Sequence, residues 1–385
     1  MKIAVLTDGI YPFVIGGMQR HSFFLIKYLA QRDCKIRVYH CIHPESEKDY
    51  AEKLEIVFTK DELKNIEFVK IPFDFVSHYP GFYLLESYRY SKRIYEHLIK
   101  DIQTFDFIYS KGFTAWYLLK HKKNNFPEIG IKLHGYEMYQ YAPDLKTKLQ
   151  HYALRIPAKF VTQNADVVFS YGGKITTLLS EVLNVPLEKI VEIPTGIEKQ
   201  LIYETCTEYH HPVRFVFVGR YEKRKGIENL NVVIQKLIEK NIEFQFHFIG
   251  DIPTRLQINN NKVKYYGKIN EFEKIQSIIR QSDVLVVPSY SEGMPNVIVE
   301  GMANGLTVVA TNVGAVSLLV NDKTGYLLEN NDVESLTNVL IQICSEKKEV
   351  LQSKKLAALQ HIQNFVWEKI IDKVIESIRK YGLPR

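Results

Sequence analysis

The chain has 385 residues, 46% of them hydrophobic and 24% charged. It is long enough to bury its own core without a disulfide or metal staple, and too apolar and aromatic to stay disordered. Its 50 Lys+Arg against 44 Asp+Glu leave a net charge of +6, well short of a nucleic-acid-binding arm and suited to anionic small molecules, phosphates or a membrane surface.

In chain order, residues 3–6 read as a buried first strand. They are too short for a signal-peptide apolar region and meet Asp8 at once. Gly16-Gly17 then opens a helix whose amphipathic pattern covers residues 21–32. Further strands are expected at 36–41, 107–110, 131–134 and 167–170. A second series follows at 214–218, 245–249, 284–287 and 308–311, with a helix over 227–240 between its first two members. Short, fully apolar strands alternating with amphipathic helices predict parallel sheets of βαβ units. Two such series predict two Rossmann-like domains. The first covers residues 1–196 and the second 197–365, and an amphipathic terminal helix over 366–385 crosses back to the first. The apolar tract 297–320 contains Glu300, Asn304 and Asn312 and fails as a membrane span; cut at Gly305 and Gly314, it reads as helix, strand, loop and helix. Cys34, Cys41, Cys206 and Cys344 form no Cys-x-x-Cys pair and read as inert thiols of a reducing compartment.

In open α/β sheets ligands sit where strand C-termini meet helix N-termini, so the glycines at those junctions are the candidates. Gly16-Gly17 lets backbone approach a ligand closely at a helix N-terminus, where an anion is favoured; a plain tight turn reads the same way. Gly-x-Gly-x-x-Gly is absent, which counts against a dinucleotide fold. The strand ending at Val218 runs into Gly219-Arg220, with Lys225-Gly226 just before the next helix. Two cations and a glycine turn suit a diphosphate, and a solvated basic loop containing Lys223 and Arg224 fits the same residues. Residues 289–305 carry Glu292, then Gly293, Met294, Pro295 and Asn296, then Glu300. Pro295 suits the first turn of a helix and Gly305 its C-terminal cap. Glu300 is expected to face the loop holding Glu292, two carboxylates suited to sugar hydroxyls. Backbone amides between Gly293 and Asn296 would point at an anion. For either glutamate alone, a purely structural role is the default.

Together these pieces resemble the family 4 retaining glycosyltransferases of the GT-B fold: two Rossmann-like domains facing across a cleft. The resemblance is carried by Gly16-Gly17, His134-Gly135 after a strand, Ser170, and Ile193-Pro194-Thr195-Gly196. It continues through Gly219-Arg220 with Lys225-Gly226, the Glu292-x7-Glu300 spacing, and Val366-Trp367. It implies a cytoplasmic hexosyltransferase that moves sugar from a UDP- or GDP-linked donor, without cofactor or metal, to a saccharide or lipid-linked acceptor in polysaccharide biosynthesis. Another GT-B sugar enzyme, or a non-catalytic nucleotide-sugar-binding protein, stands as the alternative. The resemblance assigns Arg220 and Lys225 to the diphosphate and Glu300 to the ribose. Glu292 takes the donor sugar, helped by backbone near Gly293, Met294 and Pro295. Ile269 falls to the base, and Gly17 to the donor phosphate from across the cleft. It puts His134 beside the transferred sugar, with a structural histidine at a strand end as the alternative. Gln19, Thr195 and Ser317 depart from the family pattern; Ser317 stands where an acidic residue is usual. The segments 79–100 and 145–159, rich in Tyr, Leu, Lys and Arg, suit peripheral contact with the inner face of a membrane, or simple packing on the sheet.

Overall fold

The structure is a computed structural model that describes residues 1–14, 16–42, 48–74 and 81–382. Among these residues the strands form two sheets, of seven and six strands. The first sheet contains β1 (Lys2–Leu6), β2 (Lys35–His40), β3 (Ile66–Lys70), β4 (Phe107–Lys111), β5 (Glu128–Lys132), β6 (Val167–Ser170) and β7 (Ile190–Glu192). The second contains β8 (Val213–Val218), β9 (Phe244–Ile249), β10 (Val263–Tyr265), β11 (Val284–Val287), β12 (Thr307–Thr311) and β13 (Gly325–Leu328). The spatial orders are β3-β2-β1-β4-β5-β6-β7 and β10-β9-β8-β11-β12-β13. Every strand pairing is parallel, for example Ile3 with Ile36 and Val216 with His247. The order reverses between β1 and β4 in one sheet and between β8 and β11 in the other, and at such switch points a crevice opens beyond the strand C-termini.

Alternate residues of a strand face opposite sides, and here both sides are apolar. Ala4 and Leu6 join one core of the first domain with Ile108, Ile129 and Ile131, while Ile3 and Val5 join the other with Ile36 and Val38. The second sheet repeats this: Val216, Leu285 and Val308 face one core, and Phe215, Val284 and Val309 the other.

The linker leaves β7 at Glu192 and reaches β8 at Val213. The helix Trp367–Gly382 returns to the first domain. Its stripe of Trp367, Ile370, Ile371, Val374, Ile375 and Ile378 is buried in the same core as Ile3 and Val5. Trp367 stacks on Phe24 and Tyr28 of the helix Gly17–Ala30. The two crossings run side by side: Ile197 pairs with Val366, its N–H donating to the Phe365 carbonyl while Trp367 N–H donates to its own.

Three expectations shift. The strand expected at 131–134 is β5, Glu128–Lys132, so His134 sits two residues beyond it in the crossover loop. Pro295 is the cap preceding the helix Asn296–Ala303, whereas the first helix does open at Gly16-Gly17, running from Gly17 to Ala30. The edge strands β3, β7, β10 and β13 were absent from the predicted series because their partly exposed residues lack the continuous apolar signal of central strands. Gly305 does follow its helix, at φ +76.

Candidate active site

The two switch points face one another, and three close approaches at glycines narrow the space between them. Around Gly135 and Gly293 the chains meet so closely that a Cβ on Gly135 would lie 2.9 Å from the Gly293 Cα. A Cβ on Gly173 would lie 3.0 Å from the Gly314 carbonyl oxygen and 3.2 Å from Ser317 Oγ, so Ser317 packs across the boundary. One on Gly17 would come within 3.6 Å of Asn296 Nδ2. Gly16, in extended backbone, precedes this helix N-terminus.

On the second-domain side, the turn after β8 is held by Gly226. It adopts φ +71, and any Cβ there would strike the Pro288 carbonyl oxygen at 2.0 Å, so only glycine lets this turn lie against the end of β11. Lys225 Nζ consequently reaches Glu292 Oε1 at 2.6 Å, and Ser289 Oγ donates to the same oxygen at 2.8 Å. Arg224 Nη1 lies 3.4 Å from the other oxygen, Oε2, and 3.9 Å from Glu137 of the first domain. Arg224, which the sequence places in a loop that reads either as a diphosphate cradle or as a solvated basic turn, has a side chain only 24% exposed; burial opposes its charge, but the carboxylates of Glu292, Glu137 and Glu222 outweigh it and hold its pKa above the usual arginine value. Arg220, following Gly219 at the strand end, instead stands 81% exposed and pairs with Glu222.

Glu300 lies 3.7 Å from Arg20 Nη1 of the first domain, and burial raises its carboxyl while Arg20 opposes the rise. Arg20, Glu300, Asn296, Thr195 and Trp367 line a cavity of about 40 Å³ between the domains. Met294 is buried and its Sδ accepts the Thr195 N–H, while Thr195 Oγ1 donates to Asn296 Oδ1 at 3.3 Å. The linker thus touches the loop directly. Ile269 is partly buried against the second-domain core, beyond Gly267, whose carbonyl accepts the Gly250 N–H.

On the first-domain side, His134 Nδ1 lies 2.7 Å from the Tyr171 hydroxyl. Burial, then the charges of Lys111, Lys132 and Arg224, push its imidazole down to about 3, so the ring is neutral. Burial raises the Tyr171 phenol, which keeps its proton. Lys111 and Lys132 are register partners at the ends of β4 and β5. Lys111 Nζ donates to the Met18 carbonyl at 2.8 Å and to Ser22 Oγ at 2.9 Å, and burial lowers it to about 7 against the pull of Asp8. Lys132 donates to the Ile193 carbonyl and lies over the Tyr171 ring; burial lowers it too. Neither lysine is singled out by the sequence, because each adjoins an apolar strand run with no motif around it.

Among the described residues no group of three or more His, Cys, Asp and Glu side chains is arranged to hold a metal ion, and no helix is long and apolar enough to cross a membrane.

Two family models match the chain. One, described as Glycosyltransferase Family 4, covers residues 15–201, and the other, Glycosyl transferases group 1, covers residues 212–346. An uncharacterized glycosyltransferase of Methanocaldococcus jannaschii is 28% identical over 376 residues, 95% of each chain. The UDP-Gal:alpha-D-GlcNAc-diphosphoundecaprenol alpha-1,3-galactosyltransferase of Escherichia coli is 29% identical over 169 residues, 42% of this chain and 43% of that one. Sucrose-phosphate synthase from Thermosynechococcus elongatus superposes with a TM-score of 0.75 over 98% of both chains at 17% identity, a likeness of fold.

Proposed function

This chain belongs to the family 4 glycosyltransferases of the GT-B fold, and from that premise we propose that it moves a hexosyl unit from a nucleotide-sugar to a saccharide or lipid-linked saccharide, with retention and without a metal. The observation that carries this reading is the Lys225–Glu292 pair, meeting the His134-Gly135 loop where the two domains close. Lys225 and Arg220 hold the diphosphate and stabilise the charge that grows as the nucleoside diphosphate leaves, so cationic side chains fill the role a metal would otherwise take. Glu292 then exchanges its lysine for donor-sugar hydroxyls, and Glu300 takes the ribose. The Gly17 helix N-terminus faces the donor phosphates. A neutral His134 whose Nδ1 accepts from Tyr171 carries its proton on Nε2, a donor suited to a sugar hydroxyl. With no separate nucleophile assigned, the leaving phosphate accepts the acceptor's proton on the same face.

The acceptor reading rests on the helix Leu145–Asn164. Leu145, Leu149, Tyr152 and Ile156 recur at one-face spacing and are 72%, 61%, 52% and 74% exposed, with Lys146, Lys148 and Lys159 exposed beside them. An apolar stripe flanked by lysines suits an anionic lipid surface, from which a lipid-linked acceptor would be presented. The relative from Escherichia coli is named for such an acceptor. The other segment named for this role starts at Tyr79 and Pro80, which lie outside the described residues.

Incubation with UDP-, GDP- and dTDP-sugars, reading nucleoside diphosphate release and thermal shift, tests the donor half. Release from at least one donor is expected; neither shift nor release with any of them overturns it. Flotation with anionic vesicles at low salt tests the membrane half. The protein should rise with the vesicles, and the double variant Leu149→Asp, Ile156→Asp should stay below. A wild-type protein that remains in the bottom fraction rules membrane docking out.

A further inference from the structure

Between His134-Gly135 and the helix Leu145–Asn164 lies a short segment, residues 137–144, that touches the second domain four times. Glu137 faces Arg224 at 3.9 Å, and Asp144 faces Lys223 at 3.8 Å while also capping the helix through the Thr147 N–H. Tyr141 stacks on Tyr290, with ring centroids 4.4 Å apart and planes 19° from parallel. Gln140 makes the most specific contact. Its Oε1 accepts the Glu292 N–H at 3.3 Å, its Nε2 donates to the Glu292 carbonyl at 2.9 Å, and the same Nε2 donates to the Gly135 carbonyl.

We propose that Gln140 is a positioning residue for the transfer reaction: its amide grips the backbone of Glu292 and of Gly135 together, so Glu292 takes its working position only when the domains are closed. The inference rests on the glycosyltransferase reading and extends it to a residue outside the family motifs.

The geometry favours positioning over simple packing for three reasons. A side-chain amide that pairs with both the N–H and the carbonyl of one residue imitates a strand partner and fixes that residue's backbone in two directions. The residue gripped is the carboxylate-bearing one, and the other end of the grip is the neighbour of His134. All four contacts also cross the domain boundary, so opening the cleft breaks them at once. Lys225 and Ser289, by contrast, belong to the second domain and hold the Glu292 carboxylate in either state. With the domains apart, the carboxylate keeps its partners and loses its backbone anchor.

The test compares wild type with Gln140→Met, which keeps the length of the side chain and removes its amide, using the nucleotide-sugar that wild type turns over. Losing these hydrogen bonds should lower kcat about tenfold or more. The Kd for the free nucleoside diphosphate, measured by calorimetry, should change less than about twofold, because Gln140 bonds to none of the groups proposed to hold the diphosphate, Lys225, Arg220 and the Gly17 helix N-terminus. Gln140→Glu keeps the acceptor for the Glu292 N–H and turns a carboxylate on two carbonyls, so it should be at least as slow as Gln140→Met. Tyr141→Leu should slow turnover in the same sense, by a smaller factor. Gln140 and Tyr141 are both partly exposed, and melting temperatures near wild type should confirm that each variant folds. A Gln140→Met enzyme within twofold of wild type, or one that loses kcat and nucleotide affinity together, overturns the proposal while leaving the transferase reading standing. A wild-type protein that turns over no donor overturns both.

Discussion

The two domains repeat one topology and present the same kind of strand edge to the cleft, yet they treat charge in opposite ways. At the end of β8 and in the loop after β11 the cations are paired: Lys225 with Glu292, Arg224 with Glu292 and Glu222, and Arg220 with Glu222. At the ends of β4 and β5, Lys111 and Lys132 have neutral acceptors, and burial presses both lysines and both nearby histidines, His21 and His134, toward their neutral forms. The difference follows from what stands beside each group. A carboxylate at hydrogen-bond distance keeps a cation charged, whereas a carbonyl or hydroxyl satisfies its protons without offsetting the desolvation of its charge. The second domain therefore keeps charge to offer an ionic ligand. At the ends of β4 and β5 the first presents groups pressed toward neutrality, whose hydrogen bonds suit a hydroxyl more than an ion.

The largest effect that could break this contrast is at Lys225. Lys225→Ala should lower donor turnover by roughly 10²-fold or more, as loss of a charge aimed at the leaving group does; single-turnover release of nucleoside diphosphate checks it, and a rate within twofold of wild type removes Lys225 from the chemistry. His134→Ala should cost less, about tenfold, the scale of one well-placed hydrogen bond. Because its imidazole lies near 3, the wild-type pH–rate profile should show no His134 inflection between pH 5 and 8. An inflection near 6.5 that vanishes in His134→Ala would mean the first domain carries charge after all.

The smallest effect is on stability. Lys111 binds its proton with a value of about 7 in the folded chain and about 10.5 when unfolded, so between those values the unfolded chain holds the extra proton and stability rises with pH. Below pH 7 the full cost of burying the ammonium is present. Lys111→Met should therefore gain more melting temperature over wild type at pH 6 than at pH 9, by about 2 °C or more. Equal gains at the two pH values would show that Lys111 stays charged throughout.

How much of this was legible depends on where each group sits. The central strands announced themselves because both faces of their sheets are covered, which makes their residues uniformly apolar, as in the run Val284–Val287. The edge strand β3, Ile66–Lys70, alternates with solvent and carries Glu67 and Lys70, so the same criterion passes over it. Within the site, Lys225, Glu292 and Glu300 were found by spacing along the chain. The roles of Arg20, Arg224 and Gln140 come from contacts across the domain boundary: Arg20 meets Glu300, 280 positions on, and Gln140 meets Glu292, 152 positions on. Charge order separates Arg224 from Lys223 poorly, because Lys223–Lys225 are three neighbouring cations on one turn, and only the fold shows that Arg224 and Lys225 both reach Glu292 while Lys223 faces Asp144.

The returning helix Trp367–Gly382 sets the order in which the molecule can be made. Its six buried apolar residues complete a wall of the core built on Ile3 and Val5, and Trp367 fills the place beside Phe24 and Tyr28. A ribosome delivers that wall only after the second domain. Until then the domain synthesised first has the helix Gly17–Ala30 on this face of its sheet but lacks Trp367 and the apolar residues that follow it, so its core is completed by residues made after another domain has emerged.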